Sequence, residues 1–217
     1  MAERGEGKGM TQHRNRKFWN RIAERYAARP LKNVAAYEAM LEDVAARLKP
    51  SDRVLEIGCG TGGTAIRLAP GVAQYTATDF STEMVRIARA KPFEGNLVFR
   101  VADAASAFDG GPFDVICAFN VLHLVEDLPD ALARIHANLK PGGLLISKTW
   151  CFADLRLRVR MLFPILRLVG LFPFATALGE ARLRQALSDA GFEIEAARVF
   201  GDYPQNPYLV ARARPGA

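Results

Sequence analysis

The segment at residues 54–63 reads VLEIGCGTGG and joins an apolar run to a helical one through closely spaced glycines. Glycines permit a sharp turn, and they lack the Cβ atoms that would hold a ligand away from the backbone. Gly58, Gly60 and Gly63 also satisfy the G-x-G-x-x-G dinucleotide fingerprint. The loop alone therefore predicts a nucleoside-bearing ligand without deciding between a nicotinamide dinucleotide and another nucleoside.

Three carboxylates near this loop narrow the choice of ligand. Glu56 lies two residues before the first glycine, where its charge would repel a diphosphate but attract an ammonium group. Asp79 ends the next apolar run, and its two oxygens can accept hydrogen bonds from ribose hydroxyls. Asp103 follows a third run, where it can accept a hydrogen bond from an adenine amino group. Together these acids favour a cationic, nucleoside-bearing ligand over a diphosphate.

Alternating strand and helix patterns must position these residues. Apolar runs separated by helical segments are typical of βαβ crossovers, which build a parallel sheet. The last two strands are joined by about seven residues, too few for a crossover helix, so we expect antiparallel neighbours. The prediction is a doubly wound, mostly parallel, seven-stranded Rossmann-like α/β sheet with an antiparallel last strand. Its strands are expected at 53–57, 74–79, 96–101, 113–119, 144–149, 192–199 and 207–213, and its helices at 14–28, 35–48, 63–68, after Ser81, and at 129–139 and 180–190.

The chain length of 217 residues suits one sizeable core. We predict a flexible tail over 1–13 and a single domain over 14–217, with N-terminal lid helices and a helical cap at 152–178. The three cysteines show no C-x-x-C spacing, and His and acids do not cluster at ligand spacing, so no metal site is predicted. No secretory signal or apolar segment of about 20 residues is visible, which predicts a cytoplasmic location.

Several motifs in a fixed order carry a family resemblance. The chain resembles the class I S-adenosylmethionine-dependent methyltransferases from about residue 18 to 213, and the segment FWNRIAERYA at 18–27 is similar to the lid helix of the quinone C-methyltransferases and their small-molecule relatives. The resemblance implies this fold and S-adenosylmethionine as the methyl donor. The motifs are VLEIGCGTG at 54–62, TATDFS at 76–81, VADA at 101–104, FDVICAFNVLHLVED at 113–127 and LKPGGLLIS at 139–147.

The same resemblance implies the donor contacts. Gly58, Gly60 and Gly62 would wrap the methionine portion, with Glu56 near the ammonium or bracing the loop, and Asp79 would hold the ribose hydroxyls. The other implied donor-site residues are Phe80 and Met84 at the adenine face, Asp103 and the amide of Ala104 at the adenine edge, the carbonyl of Asn120 at the ammonium, Tyr26 at the carboxylate, and Trp19, Thr61 and Val121.

His123, just past the fourth predicted strand, is the candidate catalytic base. An unperturbed imidazole titrates near working pH, and a base is needed only when the acceptor must lose a proton, as an oxygen or an enolisable carbon does. The alternative is that His123 merely caps the following helix. Trp19 and Tyr26 lie seven residues apart on one helical face, so packing on the core explains them as well as donor contact does.

The formal net charge of +6 has two local sources, a basic run in the first helix and four arginines in the 152–178 segment. That segment is also rich in large apolar residues. An apolar cap with its arginines in water is the favoured interpretation, and peripheral contact with an anionic membrane is the alternative. Either version predicts a small acceptor that is apolar or aromatic.

Other functions fit the sequence less well. A nicotinamide oxidoreductase is disfavoured by Glu56 and by the antiparallel end of the chain. A lipid-headgroup methyltransferase at a membrane surface and a non-catalytic S-adenosylmethionine-binding protein stay open. No nucleic-acid partner is expected, because the segment Asn120-Val121-Leu122-His123 has no N-P-P-Y-type tetrad and no aromatic-rich basic patch is visible. The acceptor, the methylated atom and the oligomeric state are not defined by the sequence.

Overall fold

The computed structural model describes residues 3–102, 106–168 and 172–214 of the chain. The strands are β1 (Arg53–Ile57), β2 (Gln74–Asp79), β3 (Leu97–Val101), β4 (Phe113–Phe119), β5 (Leu139–Lys148), β6 (Phe192–Arg198) and β7 (Tyr208–Ala213). They form one sheet in the order β3-β2-β1-β4-β5-β7-β6. All pairs are parallel except those of β7, which runs antiparallel to both β5 and β6. The predicted sheet, with its antiparallel last strand, is confirmed.

Helices cover both faces of this sheet. They are α1 (Glu3–Ala27), α2 (Val34–Ala45), α3 (Gly63–Leu68), α4 (Thr82–Arg89), α5 (Leu128–Ala137), α6 (Leu157–Arg160), α7 (Leu162–Leu168) and α8 (Glu180–Asp189). One face packs on α2, α3 and α4 through residues such as Val44, Ala65 and Val85, and the other packs on α5 and α8 through Leu132 and Leu183. Within the described ranges, no helix is both long and apolar enough to cross a bilayer.

The first helix is longer than the sequence pattern predicts. It begins at Glu3, whereas the sequence pattern predicts a start at residue 14, and the flexibility of the segment at 1–13 stays a prediction. The glycines in this stretch lower its intrinsic helix propensity. A helix already nucleated further along still gains one hydrogen bond for each residue that it adds, and this extends α1 towards the N-terminus.

Strand β5 also begins earlier than predicted, at Leu139 instead of residue 144. Leu139 pairs with Phe113, and the register then shifts before Leu144 pairs with Val115. The segment Pro141-Gly142-Gly143 is therefore an irregularity within the strand, of the kind that a bulge produces, and it does not end the pairing. A Pro-Gly-Gly sequence looks like a turn because it lacks the side chains that mark a strand.

Hydrogen bonds of two asparagines, Asn20 and Asn15, help to fasten helix α1 to the rest of the chain. Ser81 caps α4 by accepting a hydrogen bond from Met84 N (3.2 Å), and its hydroxyl donates to Oδ1 of Asn20 (2.6 Å). Nearer the N-terminus, Oδ1 of Asn15 accepts from the backbone N–H of Phe174 (2.8 Å), and Nδ2 of Asn15 donates to the carbonyl of Phe174 (3.4 Å). The lid helix is thus held both at the end of β2 and on the segment that precedes α8.

Candidate active site

The loop between β1 and α3 adopts the left-handed backbone that glycines allow. The φ angle is +67° at Gly58, +54° at Gly60 and +77° at Gly62. A Cβ atom on Gly58 would lie 2.6 Å from Cγ2 of Val121, so the loop packs directly on the turn after β4. On Gly60 a Cβ atom would meet only Cε1 of Tyr26, at 3.8 Å. The backbone at Gly60 therefore stays open to a ligand.

Glu56 lies in β1 directly below this loop and is only 2% exposed. Its Oε2 accepts a hydrogen bond from the hydroxyl of Tyr75 on β2 (2.9 Å). Burial raises the pKa of Glu56 to about 7, helped by the nearby charge of Asp79 and opposed by the Tyr75 hydrogen bond. A buried carboxyl in this range ionises readily when a cation is placed beside it.

Asp79 ends β2 and braces the glycine loop from the side. Its Oδ2 accepts from the backbone N–H of Gly60 (2.9 Å), and its Oδ1 accepts from that of Ser81 (2.8 Å). Burial raises the pKa of Asp79, and these backbone N–H groups oppose that rise. Each carboxylate oxygen can accept more than one hydrogen bond, so capacity for ribose hydroxyls is retained.

Tyr26, near the end of α1, lies over the same loop. Burial raises the pKa of its hydroxyl, and the charges of Asp79 and Glu56 raise it further while Arg29 lowers it. The hydroxyl is therefore within electrostatic reach of both acids. The structure brings Tyr26, Glu56 and Asp79, all predicted from the sequence, together around Gly60.

Trp19 and Met84 lie behind Tyr26, in the contact between α1 and α4. Met84 is 2% exposed and packs with Ala23 and Ile87, and Trp19 packs against this cluster. The ring of Trp19 also meets Tyr26 edge-on, with centroids 5.9 Å apart. The packing interpretation of Trp19 is confirmed, and donor contact by Trp19 or Met84 stays a prediction.

The remaining predicted donor residues lie around the carboxyl edge of the sheet. Asn120 is exposed with a φ of +55°, a conformation that Asn tolerates, and its N–H donates to the carbonyl of Lys148 (2.6 Å). The carbonyl of Thr61 accepts from Nζ of Lys91 (2.6 Å), and Phe80 is half-buried just after β2. Their contacts with the donor stay predictions. The predicted residues Asp103 and Ala104 lie outside the described residues.

His123 lies four residues beyond the end of β4, in a short turn from Leu122 to Leu124. It is 5% exposed, and burial lowers its pKa to about 4. Its ring packs edge-on against Phe152, with centroids 5.2 Å apart, and its Nδ1 has no hydrogen-bond partner among the described residues. The imidazole is therefore neutral at ordinary pH, and its Nδ1 is a buried polar atom left unsatisfied within the described chain.

A cluster of aromatic rings extends from His123 into the segment after β5. Phe152 stacks on Trp150, with centroids 6.0 Å apart, and Trp150 meets Tyr203 at 5.4 Å. Phe163 of α7 and Phe172 pack on Phe152 and on each other, with centroids 4.9–5.6 Å apart. We call these five rings, Trp150, Phe152, Phe163, Phe172 and Tyr203, the aromatic cluster.

Three residues of this site were missed by the sequence analysis. Tyr75 is the partner of Glu56, Asn20 holds Ser81, and the hydroxyl of Tyr37 lies 3.1 Å from Oγ1 of Thr64 at the start of α3. Of these three residues, only Tyr75 could have been recognised from the sequence as part of the site. A tyrosine inside a buried strand requires a polar partner for its hydroxyl, and this requirement points to a buried acid on a neighbouring strand.

These features fit a cationic nucleoside donor. Two buried carboxylates lie beside an open glycine turn, and the ring of Tyr26 lies over that turn with its hydroxyl within electrostatic reach of both acids. The fold and this site define an S-adenosylmethionine-dependent methyltransferase of class I. A family model described as a methyltransferase domain matches residues 18–197, so the chain belongs to that family.

Individual relatives agree with this assignment. The chain is 32% identical over 198 residues to the highly reducing polyketide synthase resH of Aspergillus sclerotiorum, covering 79% of this chain but only 7% of that much longer protein. Magnesium protoporphyrin IX methyltransferase (ChlM) from Synechocystis PCC 6803, solved with bound SAH, is 25% identical, with a TM-score of 0.66 over 92% of this chain and 93% of that one. The CurJ carbon methyltransferase is 26% identical, with a TM-score of 0.60 over 81% and 52%.

Replacing Tyr26 by Phe tests the lid contact. The hydroxyl faces Asp79 and Glu56, where the charged groups of the donor are expected, so its loss should weaken S-adenosylmethionine binding about tenfold. The ring contact with Trp19 is kept, and the melting temperature should stay unchanged. Tyr203→Phe in the aromatic cluster is the matched control and should leave the dissociation constant for the donor unaltered. If calorimetry gives the same affinity for S-adenosylmethionine in the wild type and in Tyr26→Phe, Tyr26 has only a packing role.

Proposed function

We propose that this chain transfers a methyl group from S-adenosylmethionine to a small apolar or aromatic acceptor bound at the aromatic cluster. The observation that carries the proposal is the continuity between the two sites. Val121 packs on Gly58 in the donor loop, and His123, two residues later, packs on Phe152 in the cluster. One short turn thus separates the bound donor from a surface of aromatic rings.

When bound, S-adenosylmethionine supplies a methyl group on a sulfonium, which is an already activated leaving group. The chain must then orient the acceptor and exclude water, and such positioning can contribute about 7–11 kcal/mol. The rings around Phe152 favour flat or apolar molecules, because aromatic pairs gain energy beyond the area they bury. Residues 14–217 are proposed to act as a single methyltransferase domain, with 152–178 as its cap.

Within this function, an acceptor that loses a proton would have His123 as its base. A pKa of about 4 keeps the imidazole neutral at ordinary pH, and the same burial makes it a weak base, so proton transfer to it requires a charge that develops beside the ring during reaction. An oxygen acid or an enolisable carbon is such an acceptor. The relative CurJ, described as a carbon methyltransferase, supports a carbon acceptor as the second candidate.

His123→Ala is expected to leave donor affinity intact and to slow turnover at least about tenfold, the contribution of a general base. His123→Phe separates catalysis from packing, because it keeps a ring against Phe152 but cannot accept a proton. Both variants should be slow if His123 is the base. Wild-type turnover in His123→Phe would leave it only a packing role, and unchanged turnover in His123→Ala would remove it from the mechanism.

The proposed function is tested by calorimetry with S-adenosylmethionine, S-adenosylhomocysteine and NAD. A donor-consumption screen then covers phenols, quinones, amines, lipids and enolisable carbonyl compounds. Tight binding of NAD without binding of S-adenosylmethionine would overturn the proposal. Donor binding without turnover of any acceptor would favour a non-catalytic binding protein.

A cytoplasmic location is also proposed, supported by Cys59, Cys117 and Cys151, which are all buried free thiols.

A further inference from the structure

The outer surface of the cap carries an apolar stripe that the rest of the described chain leaves uncovered. The stripe consists of four residues spaced by four, four and three positions, which places them on one side of a helix: Leu157, Met161, Ile165 and Leu168. Their exposed fractions are 67%, 66%, 59% and 87%. Met161 keeps right-handed helical backbone between α6 and α7, and its N–H donates to the carbonyl of Leu157 (3.0 Å). The stripe therefore runs continuously along both helices.

The opposite side of the same helices is already occupied. Phe163 packs on Phe152 and Phe172 in the aromatic cluster, and Leu166 is half-buried. The cap is thus fixed on its inner side by the proposed acceptor site. Its outer stripe is a separate surface, larger than the single exposed apolar residues that are normal on a protein.

Arginines border this stripe. Arg158 and Arg160 fall on its two sides by helical spacing, and Arg156 precedes α6; all three side chains are exposed. No ion pair is formed by these arginines with the described part of the chain. The neighbouring acid, Asp154, is engaged with the backbone N–H of Glu180 (2.8 Å). The surface is therefore apolar along its centre and positively charged along its borders.

The hydrogen bonds between Asn15 and Phe174 hold a second basic segment on the chain that follows the cap helices. Arg14 and Arg16, both exposed, flank Asn15 on α1. The basic segment of α1 is thus held on the segment that follows the cap helices. Both segments are basic without an acidic residue among them; they read TQHRNRK at 11–17 and LRLRVRM at 155–161.

We infer that the stripe and its arginines dock the chain on an anionic lipid surface. Apolar side chains at the centre would enter the boundary between headgroups and acyl chains, while arginines at the border pair with anionic headgroups. Charge complementarity favours this occupant over a second copy of the chain, because a symmetric contact would bring like-charged arginines together. Docking by this surface does not depend on the identity of the acceptor.

Vesicle flotation of the full chain without acceptor tests this inference. The wild type should float with phosphatidylcholine vesicles containing about 30% phosphatidylglycerol at low salt, and much less with phosphatidylcholine alone. The double variant Leu157→Ser/Met161→Ser keeps the net charge and should lower the bound fraction about fivefold or more. Arg158→Gln/Arg160→Gln should give a similar loss. All four side chains are exposed, so calorimetric melting should show unchanged folding.

Two control variants distinguish docking through the stripe from the general attraction of a basic protein to anionic vesicles. Val98→Ser removes an exposed apolar side chain from β3, at the far edge of the sheet, and Arg134→Gln removes an exposed charge from α5. Both should float like the wild type. Absence of wild-type flotation at low salt, or equal losses in Val98→Ser, would overturn the inference. So would a dimer in sedimentation that the Leu157→Ser/Met161→Ser variant dissociates. S-adenosylmethionine affinity, measured in parallel, reports separately on the proposed function.

Discussion

Replacing Gly58 by Ala is expected to lower the free energy of unfolding by about 2–4 kcal/mol and to weaken S-adenosylmethionine binding about 100-fold. Two costs add at this position. The φ of +67° is unfavourable for any residue with a Cβ, and the new methyl group would lie 2.6 Å from Cγ2 of Val121. The loop must therefore move away from the turn after β4. Thermal melting and calorimetry with the donor measure the two effects separately.

Gly60→Ala is the matched control for this prediction. It also has a positive φ, +54°, but its new methyl group would meet only Tyr26, at 3.8 Å. Its cost in stability should be the backbone cost alone, about 1–2 kcal/mol. The double variant Gly58→Ala/Val121→Ala removes Cγ2 of residue 121 but leaves its Cβ 2.8 Å from the new methyl group, so it should regain only a part of the donor affinity. Equal melting of the Gly58 and Gly60 variants, with additive effects in the double variant, would contradict the proposed contact.

The central strands could be predicted closely because their signals are local. Residues 53–57, 74–79 and 113–119 are short apolar runs that end in a glycine loop, an aspartate or an asparagine turn, and the structure has β1, β2 and β4 at these bounds. A strand buried on both faces reads as a near-continuous apolar run, as β4 does, and the buried Glu56 of β1 and Thr76 of β2 are polar exceptions. The glycine loop was predictable for the same reason, since its backbone conformation depends on its own residues.

The features that the sequence could not predict depend on contacts between distant residues. Asn15 and Phe174 are 159 positions apart, and the polar residue gives no sign of its partner. Trp150 meets Tyr203 because β5 and β7 pair antiparallel, which brings the segment after β5 beside the segment before β7. His123 looked like an ordinary imidazole until burial was known, and burial is what lowers its pKa. Such properties follow from tertiary packing.

Glu56→Gln is expected to weaken donor binding about 30-fold at pH 8 and to remove most of its pH dependence. In the donor-free protein the pKa of Glu56 is about 7, so the carboxyl is largely protonated below that pH. An ammonium group beside it favours the ionised form and lowers the pKa on binding. Binding then releases a proton, and wild-type affinity should fall about tenfold between pH 8 and pH 6. Calorimetry over this range gives both profiles.

The stability of the donor-free protein should depend on pH in the opposite direction to donor affinity: it should fall as the pH rises. The folded pKa of about 7 lies above the ordinary value of 4.5, so the folded state holds the extra proton between these two values. Donor-free wild type therefore loses stability as the pH rises from 4.5 to 7, and this loss persists above pH 7. The Glu56→Gln variant avoids it and should melt at a higher temperature than the wild type at pH 8, although it binds the donor less tightly.

Tyr75→Phe tests whether the titration of Glu56 causes the pH dependence of donor affinity. The Tyr75 hydroxyl donates to Glu56 and opposes the rise of its pKa, so removing it should shift the loss of donor affinity to higher pH. If the affinity profile shifts in that direction in Tyr75→Phe but not in the double variant Tyr75→Phe/Glu56→Gln, Glu56 is the titrating group. If Glu56→Gln instead keeps the wild-type pH profile, the carboxylate braces the loop without pairing with the ammonium. The charge that selects a cationic donor must then come from Asp79.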